Sequence, residues 1–287
     1  MVLNWIDFMS LFSRVFNKIH HFVLGLNRES KRKNFFESDI HKDFKKFEKY
    51  DSKKILVIGI YLTDYPNLAN HLMKQFSNSQ IHLVDQKWVA IGENSVPIEL
   101  SQNTILHLKE KTPKFKLLNK ILSDIDLELY DYIIFTDDDI AIHDSFIDVY
   151  VHIVDKYELK IAQPARTRHS FNIHKIVLQK DNSIARVTNF VEIGPIFSFH
   201  SSIFKNVLPF PEDAEMGWGL DYVWPKIAEK NSFKIGIVDL ISADHSYRPQ
   251  SKTYSNSSNM ILMNKFLNKY ENNKDERKIN VTKCLFK

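Results

Sequence analysis

The sequence contains 287 residues, of which 44% are hydrophobic and 26% are charged, and its formal net charge is +4 at pH 7. This composition is typical of a soluble globular protein, and the lack of an apolar run of about 20 residues argues against a membrane-spanning helix. The single cysteine, Cys284, excludes a disulfide scaffold and a cysteine-rich zinc site, and it fits a reducing compartment such as the cytoplasm.

The positive charge is concentrated near the first residue. Residues 1–33 carry six basic and two acidic side chains, and the rest of the chain is neutral, unlike a nucleic-acid-binding protein. Apolar side chains from Trp5 to Val23 recur with helical spacing, so residues 1–50 are predicted to form an amphipathic, basic helical segment. Such a helix could lie peripherally on the anionic inner face of the cytoplasmic membrane. The alternative is a terminal helix that packs on its own domain or on a partner chain.

From Lys53 onward, short apolar strands alternate with helices. Strands are predicted at 53–62, 81–86, 130–135 and 160–165, and helices at 67–76, 113–123 and 145–157. After residue 170 the pattern favours strands, with a hairpin turning at Asp181-Asn182, a strand at 191–199, a helix opening near Trp218 and a last strand at 234–240. This order predicts an α/β domain over residues 51–250, in which helices flank a mainly parallel sheet and the second half carries a β-rich insertion. Residues 251–287 are predicted to be a polar tail.

Three consecutive carboxylates, Asp137, Asp138 and Asp139, follow the predicted strand 130–135. Ligands of open α/β sheets bind outside the carboxyl ends of strands. Adjacent carboxylates repel one another unless a cation compensates their charge, and oxygen ligands suit Mg²⁺ or Mn²⁺. The motif therefore predicts a metal site, and the alternative is a solvated turn.

A second motif, Gly217-Trp218-Gly219, precedes Asp221. Glycines on both sides permit backbone turns that larger residues resist, so the ring of Trp218 could lie beside a sugar, with Asp221 at the start of the next helix. The alternative is that Trp218 belongs to the core and Asp221 only favours the first helical turn.

Further candidates are His245 and Arg248, after the predicted strand 234–240, and Lys116, Asn119 and Lys120 on the helix 113–123. A histidine near a strand end can complete a metal shell begun by carboxylates, and cations on one helix face could bind phosphates. A hydrogen-bonded histidine and a solvated helix face are the alternatives.

In their order along the chain, these motifs resemble the GT-A glycosyltransferases over residues 53–250. The resemblance rests on strand-end acids, an upstream helix with Lys and Asn, a downstream Gly-Trp-Gly-x-Asp segment and a later His. The stretch with GWGLD, KIGIVDL and the following Asp-His also resembles an uncharacterised family found in plants and bacteria.

The resemblance implies roles for single residues. Asp137, Asp139 and His245 would bind Mn²⁺ or Mg²⁺, and Asp221 would be the general base, although Tyr222 follows it where the family often has a second acid. Asp85 would lie near the base or ribose. The residues implied to contact the nucleotide sugar are Asp85, Lys116, Asn119, Asp137, Asp138, Trp218 and Arg248, and Arg166 could add positive charge.

The implied function is metal-dependent, inverting transfer of a sugar from a nucleotide-sugar donor to a glycan or lipid-linked glycan. Lipopolysaccharide or capsule synthesis in a bacterium is the expected setting. Two alternatives stay open, a nucleotidyltransferase and a non-catalytic module that binds carbohydrate or membrane.

Overall fold

The structure, a computed structural model, describes residues 51–248, 256–270 and 279–286, which belong to one compact unit. The amphipathic segment predicted for residues 1–50 lies outside these ranges. In the part of the chain that is described, no helix combines the length and the apolar character needed to cross a membrane.

Strands and α-helices largely alternate up to residue 166, and strands predominate after it. The strands are β1 (Lys54–Leu62), β2 (Leu83–Ile91), β3 (Thr104–Leu108), β4 (Tyr132–Thr136), β5 (Leu159–Arg166), β6 (Ser183–Thr188), β7 (Ile196–His200), β8 (Lys234–Ala243) and β9 (Val281–Phe286). The helices are α1 (Ala69–Ser77), α2 (Lys114–Leu122), α3 (Phe146–Lys156), α4 (Phe204–Val207), α5 (Leu220–Lys230) and α6 (Asn256–Lys269).

These strands form one mixed sheet in the order β3-β2-β1-β4-β7-β5-β8-β6-β9. Strands β1 to β4 pair in parallel, as do β5 and β8, whereas β7 runs antiparallel to both β4 and β5. Strand β6 is antiparallel to β8 and β9. The α/β fold is therefore confirmed, with a mixed sheet whose antiparallel pairings all involve strands from the β-rich second half of the chain.

Helices cover both faces of the sheet, and β1 illustrates the division. Ile55 and Val57 pack in the apolar cluster that includes α1 and α3, whereas Leu56 and Ile58 pack in the cluster that includes α2, α5 and α6. Because successive side chains point to opposite faces, a strand buried on both sides needs an uninterrupted apolar run. This requirement explains why β1 could be recognised from its sequence.

One edge of the sheet collects several chain segments. Since β7 is antiparallel to both β4 and β5, those two strands run in the same direction, and β1 and β8 share it. Thr136 at the end of β4 pairs with Ile196 at the start of β7, and Arg166 at the end of β5 pairs with Ala243 at the end of β8. Residues that follow four strands therefore meet residues that precede β7.

Several predicted elements differ from the structure. The second strand is Leu83–Ile91 rather than 81–86, and β6 pairs with β8 and β9 instead of forming a hairpin at Asp181-Asn182. Within the predicted polar tail, Phe266 and Leu267 of α6 are buried, and β9 extends the sheet. Partners distant in sequence stabilise these segments, so their local patterns carried little signal.

Candidate functional site

The three carboxylates that follow β4 have different environments. Asp137 Oδ1 lies 2.6 Å from Lys114 Nζ, and the Asp137 backbone N–H donates to the carbonyl of Pro195 at 2.7 Å. Asp138 is buried and accepts a 2.7 Å hydrogen bond from the backbone N–H of Leu62. Asp138 therefore anchors the end of β1, whereas Asp137 lies beside the loop that precedes β7.

Arg248 and His245 approach the acids from the segment after β8. Arg248 Nη2 lies 2.5 Å from Asp138 Oδ1 and 3.3 Å from Asp139 Oδ2, and His245 Nε2 lies 3.4 Å from Asp139 Oδ1. Burial raises the pKa of Asp138 to about 6 although Arg248 opposes the shift. Burial also acts to raise the pKa of Asp139, but its hydrogen bond with His245 and the charges of His245 and Arg248 outweigh burial and lower it.

A buried network fixes the backbone that carries His245. Asp244 is completely buried, accepts a hydrogen bond from Thr167 Oγ1 at 3.0 Å and pairs with His169. The backbone N–H of His245 donates to Ser170 Oγ at 2.8 Å. The backbone of His245 is thus held by the loop after β5, whose residues sequence reasoning did not connect to His245.

The donor set fits a divalent cation in part. Among the described residues, no group of three or more His, Cys, Asp or Glu side chains is arranged to hold a metal ion. Asp139 and His245 nevertheless meet at 3.4 Å, close enough for both to ligate one cation. Carboxylates suit Mg²⁺ and Mn²⁺ and imidazole suits transition metals, so the chemistry of this pair is compatible with Mn²⁺. The predicted third ligand, Asp137, pairs with Lys114 instead.

Helix α2 presents Lys114 to the acids rather than the predicted Lys116. The Lys114 ammonium group contacts Asp137 and lies 3.4 Å from the carbonyl oxygen of Ile193, whereas Lys116 and Lys120 are exposed. Asn119 hydrogen-bonds the backbone of Phe210 in both directions, at 2.7 and 2.8 Å. Its amide thus holds the loop before the Gly-Trp-Gly segment, and Lys114, not Lys116, is the lysine that lies beside the acids.

The Gly-Trp-Gly segment places Asp221 in the first turn of α5, where its side chain is buried. Burial raises the pKa of Asp221 to about 7, and the negative charge of Glu192 adds to the shift. Asp221 Oδ1 has no hydrogen-bond partner. A buried carboxyl group with a pKa near neutrality is suited to general-base catalysis.

Both glycines of this segment are required by the backbone. Gly217 has a φ of +82°, and a Cβ there would lie 2.1 Å from the ring of Phe115; Gly219 has a φ of +103°. Trp218 is half-buried and lines a small cavity with Met263 of α6. Stacking of Trp218 on a sugar stays a prediction.

Sequence reasoning missed Glu192. This carboxylate precedes β7, is buried, and pairs with Arg166 at the end of β5, whose Nη2 also donates to the carbonyl of Gly194 at 2.7 Å. Burial raises the pKa of Glu192 although Arg166 opposes the shift. Because β7 is antiparallel, the residues before it lie at the site, and a rule that inspects only residues after strands overlooks them.

Asp85 lies away from this site. It pairs with Leu56 in the first half of β2, accepts a 2.8 Å hydrogen bond from Tyr130 Oη, and lies 3.8 Å from the ammonium group of Lys54 at the start of β1. The predicted position near the base or ribose is therefore corrected, because β2 continues to Ile91 and Asp85 lies near the amino end. Asp64 follows β1 in the chain. Its carboxylate accepts hydrogen bonds from the backbone N–H groups of Glu93 and Asn94.

Several solved structures are similar to this chain. GalNAc-T7 with UDP, GalNAc and Mn²⁺ matches with a TM-score of 0.50 and 8% identity, over 77% of this chain and 50% of that chain. S. aureus TarS 1–349 matches with a TM-score of 0.46 and 11% identity, over 76% and 71% of the two chains. Its complex with UDP-GlcNAc gives 0.44 and 12%, over 76% and 72%. The match to GalNAc-T7 shows that the described residues have a mixed α/β fold similar to that of a GT-A glycosyltransferase.

The sequence also identifies a family. The family model described as a protein of unknown function, DUF707, matches residues 27–190, more than half of the sequence, and the chain belongs to that family. No curated protein matches this chain. Because the matched region ends before Gly217, it does not include the GWGLD and KIGIVDL stretches that suggested the plant and bacterial family, so that assignment stays a prediction.

Proposed function

We propose that this protein is a glycosyltransferase that moves a sugar from a nucleotide-sugar donor to a hydroxyl group of a glycan or glycolipid, with inversion at the anomeric carbon. One observation carries the proposal: cations and acids from three parts of the chain, namely α2, the segment after β4 and the segment after β8, meet at one edge of the sheet, and the same region holds a buried carboxyl group whose pKa is near 7. Lys114 and Arg248 contact the acids, and Asp221 is the buried group. The GT-A-like fold supports it.

The donor's diphosphate carries the negative charge that these cations would stabilise. Lys114 and Arg248 each neutralise a carboxylate here, so both can exchange that contact for phosphate oxygens. Asp139 and His245, with Asp137 once it leaves Lys114, would hold Mn²⁺ or Mg²⁺. A bound divalent ion would supply Lewis-acid stabilisation of the departing diphosphate.

Asp221 would deprotonate the acceptor. Its free Oδ1 accepts the proton of the attacking hydroxyl, while the hydroxyl oxygen bonds to the anomeric carbon and the bond to the diphosphate breaks. Attack opposite the leaving group inverts the configuration. General-base catalysis of this kind contributes about 10²- to 10⁴-fold.

The acceptor and the setting belong to the same proposal. An amphipathic, basic segment at residues 1–33 would bring the enzyme to the cytoplasmic face of an anionic membrane, where lipid-linked precursors of lipopolysaccharide or capsule are assembled. Flotation with anionic vesicles, comparing the full chain with a chain lacking residues 1–33, tests this contact. Equal flotation of the two chains would contradict it.

Product analysis tests the reaction. The full chain is incubated with Mn²⁺ and a panel of nucleotide sugars, and the released nucleotide and the anomeric configuration are measured by chromatography and NMR. We expect a nucleoside diphosphate and an inverted product. Release of pyrophosphate would identify a nucleotidyltransferase, and calorimetry without metal-dependent binding of any nucleotide sugar would identify a non-catalytic module.

A further inference from the structure

The ion pair between Arg166 and Glu192 uses only one of the two carboxylate oxygens and leaves the Nε–H group of the guanidinium unused. Both side chains are buried, with 4% and 9% of their surfaces exposed, and Arg166 Nη2 contacts Glu192 Oε2. The other terminal nitrogen, Nη1, donates to the carbonyl of Phe171 at 2.9 Å. Arg166 Nε and Glu192 Oε1 make no hydrogen bond of normal length. The backbone N–H of His174 also stabilises the Glu192 carboxylate, so the pair leaves one charged donor unpaired and one charged acceptor incompletely paired.

A second buried ion pair in the same sheet, by contrast, uses both carboxylate oxygens. Arg186 of β6 and Asp239 of β8 form a complete fork, with Nε 2.8 Å from Oδ2 and Nη2 2.8 Å from Oδ1. Arg186 Nη1 donates to the carbonyl of Ile176 at 2.7 Å. A purely structural pair in this fold therefore uses both carboxylate oxygens and the Nε–H group, because unsatisfied buried polar atoms cost about 1–3 kcal/mol each.

The incomplete pair borders the acids of the candidate site. Arg166 Nη2 hydrogen-bonds the carbonyl of Gly194, and a Cβ at Gly194 would lie 3.1 Å from Asp137 Oδ2 and 3.3 Å from Lys114 Nζ. The charges of Asp137 and Asp139 also act on Arg166. Arg166 Nε and Glu192 Oε1 are therefore near the place where the donor would bind.

The chemistry of these atoms selects a ligand group. A hydroxyl group donates one hydrogen bond and accepts others, so a single hydroxyl can donate to Glu192 Oε1 and accept from Arg166 Nε. A phosphate oxygen could only accept, and the Glu192 carboxylate would repel it. We infer that the Arg166–Glu192 pair binds one hydroxyl of the sugar that is transferred, an inference that rests on the proposed function.

Calorimetry separates the sugar from the nucleotide. The affinities of UDP, GDP, and a panel of UDP- and GDP-sugars are measured for the full chain and for Glu192→Gln. We expect the variant to bind the nucleoside diphosphate as the wild type does, and to lose roughly 10- to 100-fold in affinity for the nucleotide sugar, the usual effect of a hydrogen bond to a charged group. Asp239→Asn is the matched control, since it disturbs the complete pair and should leave the affinity difference between nucleotide sugar and nucleotide unchanged.

A second measurement changes the ligand instead of the protein and repeats the comparison with Glu192→Gln. Deoxy analogues of the sugar that binds the wild type most tightly are compared, each lacking one hydroxyl. For the wild type, one analogue should bind roughly 10- to 100-fold more weakly than the intact nucleotide sugar. For folded Glu192→Gln, that analogue and the intact nucleotide sugar should bind with equal affinity. If the nucleotide binds but no deoxy analogue loses affinity, or if Glu192→Gln keeps the full sugar contribution, the inference fails while the proposed function stands. If neither nucleotide nor nucleotide sugar binds, both fail.

Discussion

The ammonium group of Lys114 lies 2.6 Å from the carboxylate of Asp137, joining the first turn of α2 to the end of β4. Two residues along a helix correspond to a turn of roughly 200°. Lys116 therefore leaves the helix on the side away from the acids and is exposed. This difference between two neighbouring lysines gives a direct test of the site.

Lys114→Ala should weaken binding of the nucleoside diphosphate by roughly tenfold or more, because it removes a cation that would contact the phosphates. Lys116→Ala should change the affinity by less than about twofold, as expected for an exposed side chain. Isothermal titration with UDP and GDP measures both. Equal losses of affinity in the two variants would show that the phosphates do not bind at the face of α2 that carries Lys114.

The reaction rate should follow the ionisation of Asp221. Burial raises the pKa of this carboxyl group to about 7, and only its ionised form can accept a proton. We expect kcat/KM to rise with pH and to level off above about pH 7. Asp221→Asn should reduce transfer by at least about 100-fold. A rate that stays flat between about pH 5 and about pH 8 would exclude Asp221 as the base.

The same carboxyl group should make folding pH-dependent. Its pKa is higher in the folded state, about 7, than the value of about 3.9 expected in the unfolded chain. Its ionisation therefore destabilises the native state as pH rises from about 4 through about 7, and has no effect below that window.

Asp221→Asn should accordingly raise the free energy of unfolding at pH 8 by up to a few kcal/mol, with the difference shrinking toward about pH 4. Urea unfolding over this pH range measures the effect, and Asp124→Asn, at an exposed position, is the control. A variant that is less stable than the wild type at pH 8 would contradict the argument.

Gly217→Ala should lower the free energy of unfolding by at least about 2 kcal/mol, because a left-handed backbone costs a non-glycine residue about 1–2 kcal/mol and the added Cβ meets the ring of Phe115. In a Phe115→Leu background the steric part of this cost should fall. A double-mutant cycle by urea unfolding measures the coupling between the two positions. Strictly additive effects would mean that the ring does not restrict Gly217.

Metal binding should depend on Asp139 and His245 more than on Asp138. Titration of Mn²⁺ followed by electron paramagnetic resonance of the free ion gives affinities without an activity assay. We expect Asp139→Asn and His245→Ala to weaken binding by about 10- to 100-fold each, in the presence of UDP. Asp138→Asn, whose carboxylate is held by Leu62 and Arg248, serves as the comparison. Equal Mn²⁺ affinity in all three variants would rule out the Asp139–His245 site.

The sequence predicted those parts of the fold that depend on local pattern. Strand β1 and helix α3 were recognised because each is buried through its own apolar run or stripe. Strands β3 and β9 were missed because their side chains are half-buried or exposed, and such strands lack the apolar run that identifies a buried strand. Their stability comes from pairing with β2 and β6, which no local pattern encodes.

The candidate site was predictable where residues follow strands. Asp139 and His245 were predicted to share a cation, and the structure brings them to 3.4 Å. Glu192 and Lys114 were missed for different reasons. Glu192 precedes an antiparallel strand. Lys114 and Lys116 lie on the same helix and point in different directions from it, and the sequence does not show which side of α2 faces β4.

The position of β9 has a practical consequence for handling the protein. Strand β6 is hydrogen-bonded to β8 on one side and to β9 on the other. A chain shortened before Val281 would leave the backbone amides and carbonyls of β6 open along one side, and open strand edges recruit strands from other molecules. Affinity tags are therefore better attached after β9 than substituted for it, since otherwise self-association would be mistaken for a property of the intact protein.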